Sequence, residues 1–219
     1  MMSGNSVKIK ICGLSRPVDI EYVNEARPDY CGFIINVPKS IRNTAPEQVR
    51  ALRADLSPEI LPVGVFRNEP VETVAGLLKD GTISVAQLHG DEDEAYIQKL
   101  RSYGDFTVFK AFRAPHAADG GEDRELAVRW AEAVNASSAD MVLLDHGGGG
   151  TGQTFAWELA KLIHRPFVLA GGIGPDNIRA ALDQLHPWGV DMSSSVETGG
   201  KKDREKILAA VAGVRKWNC

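Results

Sequence analysis

The stretch Phe167–Asn177 reads FVLAGGIGPDN and contains one complete strand-to-helix connection. Its first four residues are apolar and typical of a buried strand. Two glycines then permit a tight turn, and Pro175 suits the first turn of a helix, where no backbone N–H donor is needed. The same order of apolar run, loop and helical segment continues on both sides of this stretch. The pattern of the stretch therefore predicts the fold of the chain.

Eight such units follow one another along the 219 residues, without a linker or a change in composition between them. Continuous alternation of this kind predicts a parallel sheet covered by helices, in a single α/β domain over residues 1–219. Eight units can close into a barrel or remain open as a doubly wound sheet. A barrel usually needs about 250 residues, so this one would be compact. The predicted strands are 7–11, 30–35, 62–66, 84–88, 107–112, 140–144, 167–170 and 189–192.

The composition is typical of a soluble globular protein, with 43% hydrophobic and 25% charged residues. A net charge of −4 gives no indication of a nucleic-acid surface. Residues 1–6 form a short polar leader without the apolar stretch of a signal peptide, and no run is long enough to span a membrane.

Three widely spaced cysteines without a CxxC pair favour a reducing compartment, so we expect a cytoplasmic protein. The scattered histidines predict no metal site.

The ends of strands seven and eight predict a phosphate site. Gly171 and Gly172 follow the seventh strand, and Ser193–Ser195 follow the eighth. In many barrels these two loops bind phosphate, because glycines let backbone N–H groups approach the oxygens and serines add hydroxyl donors. Either feature alone is better explained by a tight turn or a helix cap. Their occurrence at adjacent strand ends favours phosphate binding.

The loop Gly147–Gly152 contains a GxGxxG pattern between a strand and a helix, which raises the question of a dinucleotide site. A loop this rich in glycine produces the pattern by chance. The position for a ribose-binding acid, about twenty residues further on, is also a glycine. We therefore interpret the loop as a lid beside Asp145, since such loops close over substrate and exclude water.

Cys12 and Asp145 are the candidate acid–base residues because each stands where a strand gives way to a loop. An unperturbed thiol is mostly protonated at neutral pH, so a basic Cys12 needs positive charge nearby. Possible sources of that charge are Lys8, Lys10 and Arg42. Asp145 must stay protonated to act as an acid, and burial under the glycine-rich loop favours its neutral form. Cys31 lies within an apolar strand and is expected to pack in the core, and Cys219 is terminal.

Seven motifs at the predicted strand ends resemble those of phosphoribosylanthranilate isomerases. They occur in the order of the family and cover nearly all of the chain from Lys8 to the last helix. Each motif alone is weak, whereas their joint order makes the resemblance specific. The motifs are Lys10–Leu14, Gly32–Ile34 with Lys39–Arg42, Gly64–Phe66, Gln87–Gly90, Leu144–Asp145 through Gly149–Gly152 with Phe155 and Trp157, Leu169–Ile173 with Pro175 and Asn177, and Gly189–Glu197.

The resemblance implies a single (β/α)8 TIM barrel that catalyses the Amadori rearrangement of N-(5-phosphoribosyl)anthranilate to 1-(2-carboxyphenylamino)-1-deoxyribulose 5-phosphate in tryptophan biosynthesis. Asp145 would protonate the furanose ring oxygen, and Cys12 would remove the proton at ribose C2. Arg42 would bind the anthranilate carboxylate, for which a guanidinium fork is well shaped. No cofactor is required, in agreement with the missing metal and nucleotide motifs. The residues implied to hold the 5-phosphate are Gly171, Gly172, Ser194 and Ser195.

Two positions depart from the pattern of the family. Ser195 stands where a glycine is frequent, and a serine there would be strained if the backbone needs a positive φ. Ile41 stands where proline is common, which predicts a less rigid loop around Arg42. Lys39 and His89 match the pattern, but we assign them no role.

Three other functions fit these residues less well. Another phosphate-binding barrel, such as a ribulose-phosphate epimerase or an indole-glycerol-phosphate synthase, would need a metal-ligand set or a catalytic lysine. A non-catalytic phosphosugar-binding protein would need none of Cys12, Arg42 and Asp145. An FMN-binding oxidoreductase would be yellow on purification. We expect a phosphorylated small-molecule substrate and a monomer or homodimer, with no nucleic-acid or membrane partner.

Overall fold

The computed structural model describes residues 6–115, 122–145 and 155–218. Residues 1–5 of the expected leader, the Gly147–Gly152 loop and Cys219 lie outside this part of the chain. Every expected strand is present, with bounds within one residue of the prediction. The barrel strands are β1 (Lys8–Cys12), β2 (Tyr30–Ile35), β3 (Leu61–Phe66), β4 (Val85–Leu88), β5 (Thr107–Arg113), β6 (Met141–Asp145), β7 (Phe167–Ala170) and β8 (Gly189–Met192). A further two-residue strand, Asn43–Thr44, pairs in parallel with β2. The helices are α1 (Pro17–Ala26), α2 (Pro46–Ala54), α3 (Val71–Lys79), α4 (Glu94–Arg101), α5 (Glu122–Ala136), α6 (Phe155–Ala160), α7 (Ile178–Leu185) and α8 (Arg204–Trp217).

The eight strands close into a barrel. Each strand pairs in parallel with the next, and β1 pairs with both β2 and β8. Lys10 lies opposite Tyr30 on one side and opposite Asp191 on the other. This closure confirms the (β/α)8 barrel and excludes the open doubly wound sheet. Two short strands, Glu197–Thr198 and Lys201–Lys202, form an antiparallel hairpin after β8.

Two apolar layers follow from the alternation of side chains along each strand. On β1, Ile9 and Ile11 join the core between the sheet and the helices. Cys12 points into the barrel, where it joins a second cluster that includes Val65 and Ala170. Because parallel strands end at the same rim, residues at their carboxyl ends converge on one opening.

Helix starts follow local chemistry. Pro46 opens α2, at a position where no backbone N–H donor is needed. Asp93 caps α4 by accepting a hydrogen bond from the backbone N–H of Tyr96 at 2.9 Å. The prediction that Pro175–Asn177 begin the next helix was wrong, because α7 begins at Ile178. The Asn177 side chain binds backbone groups in its own turn instead, which competes with helix formation. Among the described helices, none has the length and apolar character needed to cross a membrane.

Candidate active site

Two adjoining cavities open at the carboxyl rim of the barrel. The smaller has a volume of about 250 Å³ and the larger about 490 Å³. Ile34, Val65, His89 and Asp145 line both cavities, so the cavities share one wall. Six of the seven predicted site residues line the smaller cavity, and Arg42 is outside the lining of both. The six are Cys12, Asp145, Gly171, Gly172, Ser194 and Ser195.

The glycine turn after β7 has a defined shape. Gly171 and Gly172 have φ angles of 78° and 77°, in the left-handed region that favours glycine. The side chain of Asn177 holds the turn through two hydrogen bonds. Its Oδ1 accepts a hydrogen bond from the backbone N–H of Gly174 at 2.9 Å, and its Nδ2 donates to the carbonyl of Gly172 at 2.9 Å. The side chain of Asn177 therefore holds the shape of the turn.

The loops after β7 and β8 are in direct contact. Ser195 lies in the 3₁₀ helix Ser194–Val196, and its hydroxyl donates a hydrogen bond to the carbonyl of Ile173. A Cβ atom on Gly174 would lie 2.6 Å from the Cβ of Ser195, so only glycine allows this approach. The backbone of Ser195 has no positive φ, so a serine at this position carries no backbone strain.

Asp145 ends β6, and its carboxyl group is the last member of a row of hydrogen-bonded side chains that begins inside the barrel. Its Oδ2 lies 3.0 Å from Nε2 of His89, and the side chains are 24% and 32% exposed. Nδ1 of His89 lies 3.1 Å from Nε2 of the buried Gln87. The Gln87 amide donates to Nδ1, which assigns the ring proton to Nε2, the atom that donates to Asp145. His89 thus orients the carboxyl group.

Cys12 is almost fully buried, at 6% exposure. Burial raises the pKa of its thiol, Lys10 opposes the rise, and Asp191 adds to it. Lys10 is thus confirmed as a cation beside Cys12. Of the other two expected sources, Lys8 pairs with Asp29 at 3.1 Å, whereas Arg42 pairs with Glu197 and also interacts electrostatically with Cys12. Cys31 packs in the core between sheet and helices, as expected.

Arg42 and Lys202 share the carboxylate of Glu197. Nε and Nη2 of Arg42 lie 2.6 and 2.5 Å from the two oxygens of Glu197, and Nζ of Lys202 lies 2.5 Å from one of them. Burial opposes ionisation of Glu197, but the two cations hold its pKa below the usual value. The arrangement is a bidentate clamp that fixes the direction of the Arg42 guanidinium.

Sequence reasoning gave no role to several polar residues of the site. Gln87 and Asp191 each stand inside an otherwise apolar strand, and this was the available signal. The partners of Arg42 and Lys10 could not be read from spacing, since each contact joins distant parts of the chain. In the part of the chain that the structure describes, no three His, Cys, Asp or Glu side chains cluster as a metal site.

Comparison with known proteins identifies the family. The profile of the family described as "N-(5'phosphoribosyl)anthranilate (PRA) isomerase" matches residues 9–212. The chain belongs to this isomerase family. The N-(5'-phosphoribosyl)anthranilate isomerase of Thermoanaerobacter sp. (strain X514) is 41% identical over 211 residues, which cover 95% of this chain and 98% of the relative. The resemblance predicted from the strand-end motifs is confirmed, and with it the isomerase function in tryptophan biosynthesis.

Solved structures of phosphoribosylanthranilate isomerases share the fold. The Thermus thermophilus enzyme is 31% identical and superposes with a TM-score of 0.78. The alignment covers 96% of this chain and 100% of the chain of that enzyme. An isomerase crystallised with reduced 1-(o-carboxyphenylamino)-1-deoxyribulose 5-phosphate is 30% identical, covers 96% of this chain and 99% of its own, and has a TM-score of 0.74.

Proposed function

We propose that this chain converts N-(5'-phosphoribosyl)anthranilate to 1-(2-carboxyphenylamino)-1-deoxyribulose 5-phosphate by general acid–base catalysis. Asp145 acts as the acid and Cys12 as the base. The observation that carries the proposal is that both side chains line one cavity, together with the glycine turn after β7 and the serines after β8. The crystallised complex of a relative with the reduced product adds support from the family.

The 5-phosphate binds between the loops after β7 and β8. Gly171 and Gly172 let backbone N–H groups face a ligand without interference from side chains. Ser194 and Ser195 begin a 3₁₀ helix, and the first N–H groups of a helix have no partner within it. The Ser195 hydroxyl already donates to Ile173, so its backbone N–H is the donor offered to phosphate.

The acid step opens the ribose ring. Asp145 donates its proton to the furanose oxygen, the bond between that oxygen and C1 breaks, and the nitrogen lone pair forms a Schiff base at C1. His89 holds the carboxyl group of Asp145 in a fixed direction, as a positioned acid requires.

The base step moves the double bond. Cys12 as thiolate removes the proton from C2, and the electrons of that C–H bond form the enolamine double bond between C1 and C2 while the Schiff-base nitrogen is neutralised. Protonation at C1 and loss of the hydroxyl proton at C2 then give the ketone. A thiolate in a buried site is a strong base, because burial raises its pKa. No electron acceptor is needed in this sequence.

The anthranilate group occupies the larger cavity. Ile34, Val37 and Val65 provide apolar contacts for an aromatic ring, and Lys39 adds a positive charge at the wall. Arg42, on the loop after β2, binds the carboxylate of the anthranilate group. Glu197 occupies two of the five N–H donors of a guanidinium, so donors remain for a second carboxylate.

We also propose that the enzyme acts in the cytoplasm as a monomer or homodimer, without a nucleic-acid or membrane partner. A reducing compartment keeps thiols in the free form, and Cys12 is free. The cavity lining comes from one chain, so a monomer contains the acid, the base and the phosphate loops. Light scattering of the purified protein measures the oligomeric state.

The function is tested by the loss of substrate fluorescence when the purified chain receives phosphoribosylanthranilate generated in situ. We expect turnover by the wild type and a fall in kcat of at least roughly 10²-fold in Asp145→Asn, the scale for losing an acid–base group. Asp140→Asn is the matched control. Asp140 directly precedes the amino-terminal end of β6, whereas Asp145 is the last residue at the carboxyl end of the same strand. Absence of turnover by a folded wild type would contradict the proposal and favour a binding protein.

A further inference from the structure

Lys10 brings an ammonium group into the barrel next to Cys12. The two residues are two positions apart on β1, so their side chains point to the same face of the strand. Lys10 is 2% exposed, and Asp191, directly opposite on β8, is 8% exposed. Nζ of Lys10 and Oδ2 of Asp191 are 2.9 Å apart. The reaction proposed above uses neither side chain.

Stability alone does not explain a charged pair at this place. Burying two charges removes their water, and apolar side chains of similar volume are often equally or more stabilising. Oδ1 of Asp191 is buried and has no hydrogen-bond partner among the described residues, so the pair is incompletely satisfied. The rest of the barrel interior is largely apolar, with Val63, Val85, Phe109, Leu143 and Val168.

The ammonium and the thiol meet at Gly32. A Cβ atom on Gly32 would lie 2.7 Å from Sγ of Cys12 and 3.0 Å from Nζ of Lys10. Sγ of Cys12 and Nζ of Lys10 therefore both lie next to the position that a side chain of residue 32 would occupy. Because Gly32 has no side chain, nothing separates the two atoms. Any other residue at this position would separate or displace them.

The charge on Lys10 is permanent at physiological pH. Although burial opposes it, Asp191 and Cys12 raise the pKa of Lys10 to about 12. Of the charges near Cys12, Lys10 acts most strongly on its thiol and favours the thiolate, and the opposing effect of Asp191 is smaller. The other titratable or charged groups around Cys12 are Cys31 on β2, Arg42 after β2, Lys202 in the hairpin after β8, and His89 and Asp145 across the cavity.

We propose that Lys10, held by Asp191, is a positioning residue whose ammonium group stabilises the Cys12 thiolate. This rests on the proposed role of Cys12 as base. Asp191 fixes the ammonium beside the sulfur and balances its charge when the thiol is protonated. Cys12 is buried, so water does not solvate its thiolate. The ammonium group of Lys10 stabilises the negative charge of the thiolate instead.

The test is the pH dependence of Cys12 alkylation by iodoacetamide, located by mass spectrometry in the protein without substrate. Only the thiolate reacts, so the midpoint of the profile follows the pKa of Cys12. We expect Lys10→Met to raise the midpoint by about one pH unit or more, which is a tenfold smaller thiolate fraction at neutral pH. Its kcat should fall by a similar factor and recover as the pH rises.

Lys8→Met is the matched control, because Lys8 lies on the same face of β1, two residues further from Cys12, and pairs with Asp29. It should leave both the midpoint and kcat unchanged. An unchanged midpoint in Lys10→Met, or a lower kcat that does not recover at higher pH, would overturn the proposal. The alkylation needs no turnover, so its result is independent of the activity of Cys12→Ala, which tests the base role itself.

A second variant covers the case in which Lys10→Met leaves Asp191 unpaired and fails to fold. The double substitution Lys10→Met/Asp191→Asn removes both charges and no buried ion is left without a partner. Because Lys10 acts more strongly on Cys12 than Asp191 does, we expect the midpoint to stay above that of the wild type. A midpoint at or below the wild-type value would contradict the proposal.

Discussion

Glu197 contacts two cations at the barrel rim, and one of them is the arginine proposed to bind the substrate carboxylate. The carboxylate of Glu197 is 5% exposed and receives Arg42 through two nitrogens. It also receives Lys202, whose Nζ lies 3.0 Å from the carbonyl of Ser193. Through these contacts, the direction of Arg42 is fixed relative to the loop after β8, which is proposed to bind phosphate.

Replacing Glu197 by glutamine should release Arg42. Glu197→Gln keeps the shape of the side chain but leaves two cations without their counter-charge. We expect KM to rise about tenfold, equivalent to about 1.4 kcal/mol, with a smaller change in kcat, as for a group that binds ground and transition states alike. Arg42→Ala should raise KM by at least as much. Steady-state kinetics on both variants measure the effect.

The control for this prediction is Glu25→Gln. Glu25 binds Arg204 through two nitrogens, as Glu197 binds Arg42, but at the exposed surface of the helix layer. Its loss should leave KM unchanged, because exposed ion pairs contribute little. A KM for Glu197→Gln equal to that of the wild type would show that Arg42 needs no clamp.

At the scale of elements, the loop between β2 and α2 carries Arg42 on a turn. The backbone N–H of Asn43 donates to the carbonyl of Ser40 at 3.1 Å, which closes a turn with Ile41 at its second position. Proline is favoured at this position of a turn because its φ is already set. The side chain of Ile41 is 79% exposed, so its apolar surface is not used for packing.

Ile41→Pro should therefore stabilise the protein. The expected gain is about 0.4–1 kcal/mol, because proline lowers the conformational entropy of the unfolded chain without disturbing the turn. KM should stay the same or fall, since Arg42 is held more firmly. Denaturant unfolding and steady-state kinetics measure the two effects, with Ile41→Ala as the control that removes the side chain but not the freedom of the backbone. A loss of stability in Ile41→Pro alone would contradict this account of the turn.

Strands were predicted more accurately than helix starts, for a physical reason. A buried strand such as Tyr30–Ile35 consists of a continuous apolar run, and its ends coincide with polar or glycine residues. The sequence Pro-Asp-Asn is typical of a first helical turn and predicts that α7 starts at Pro175. The structure uses Asn177 to bind the backbone of Gly172 and Gly174, and the helix begins only afterwards. Side-chain contacts of this kind are not visible in a sequence pattern.

At the scale of the whole molecule, barrel closure determines which predictions could succeed. Once eight parallel strands are arranged around one axis, residues at their carboxyl ends must meet, and Cys12, Asp145 and Gly172 do so. Which side chains become partners depends on strand register and side-chain length. The pairs Lys10–Asp191 and Arg42–Glu197 therefore emerge only from the structure.

Turnover of phosphoribosylanthranilate by Cys12→Ala, measured beside Cys31→Ala, tests whether Cys12 is the base. Cys31 is a buried cysteine on the neighbouring strand that packs between sheet and helices, so it controls for the loss of a buried thiol. The account predicts that kcat falls at least roughly 10²-fold in Cys12→Ala, with KM little changed, while Cys31→Ala keeps a near-normal kcat. Near-normal kcat in Cys12→Ala would contradict the account and assign the base to another residue.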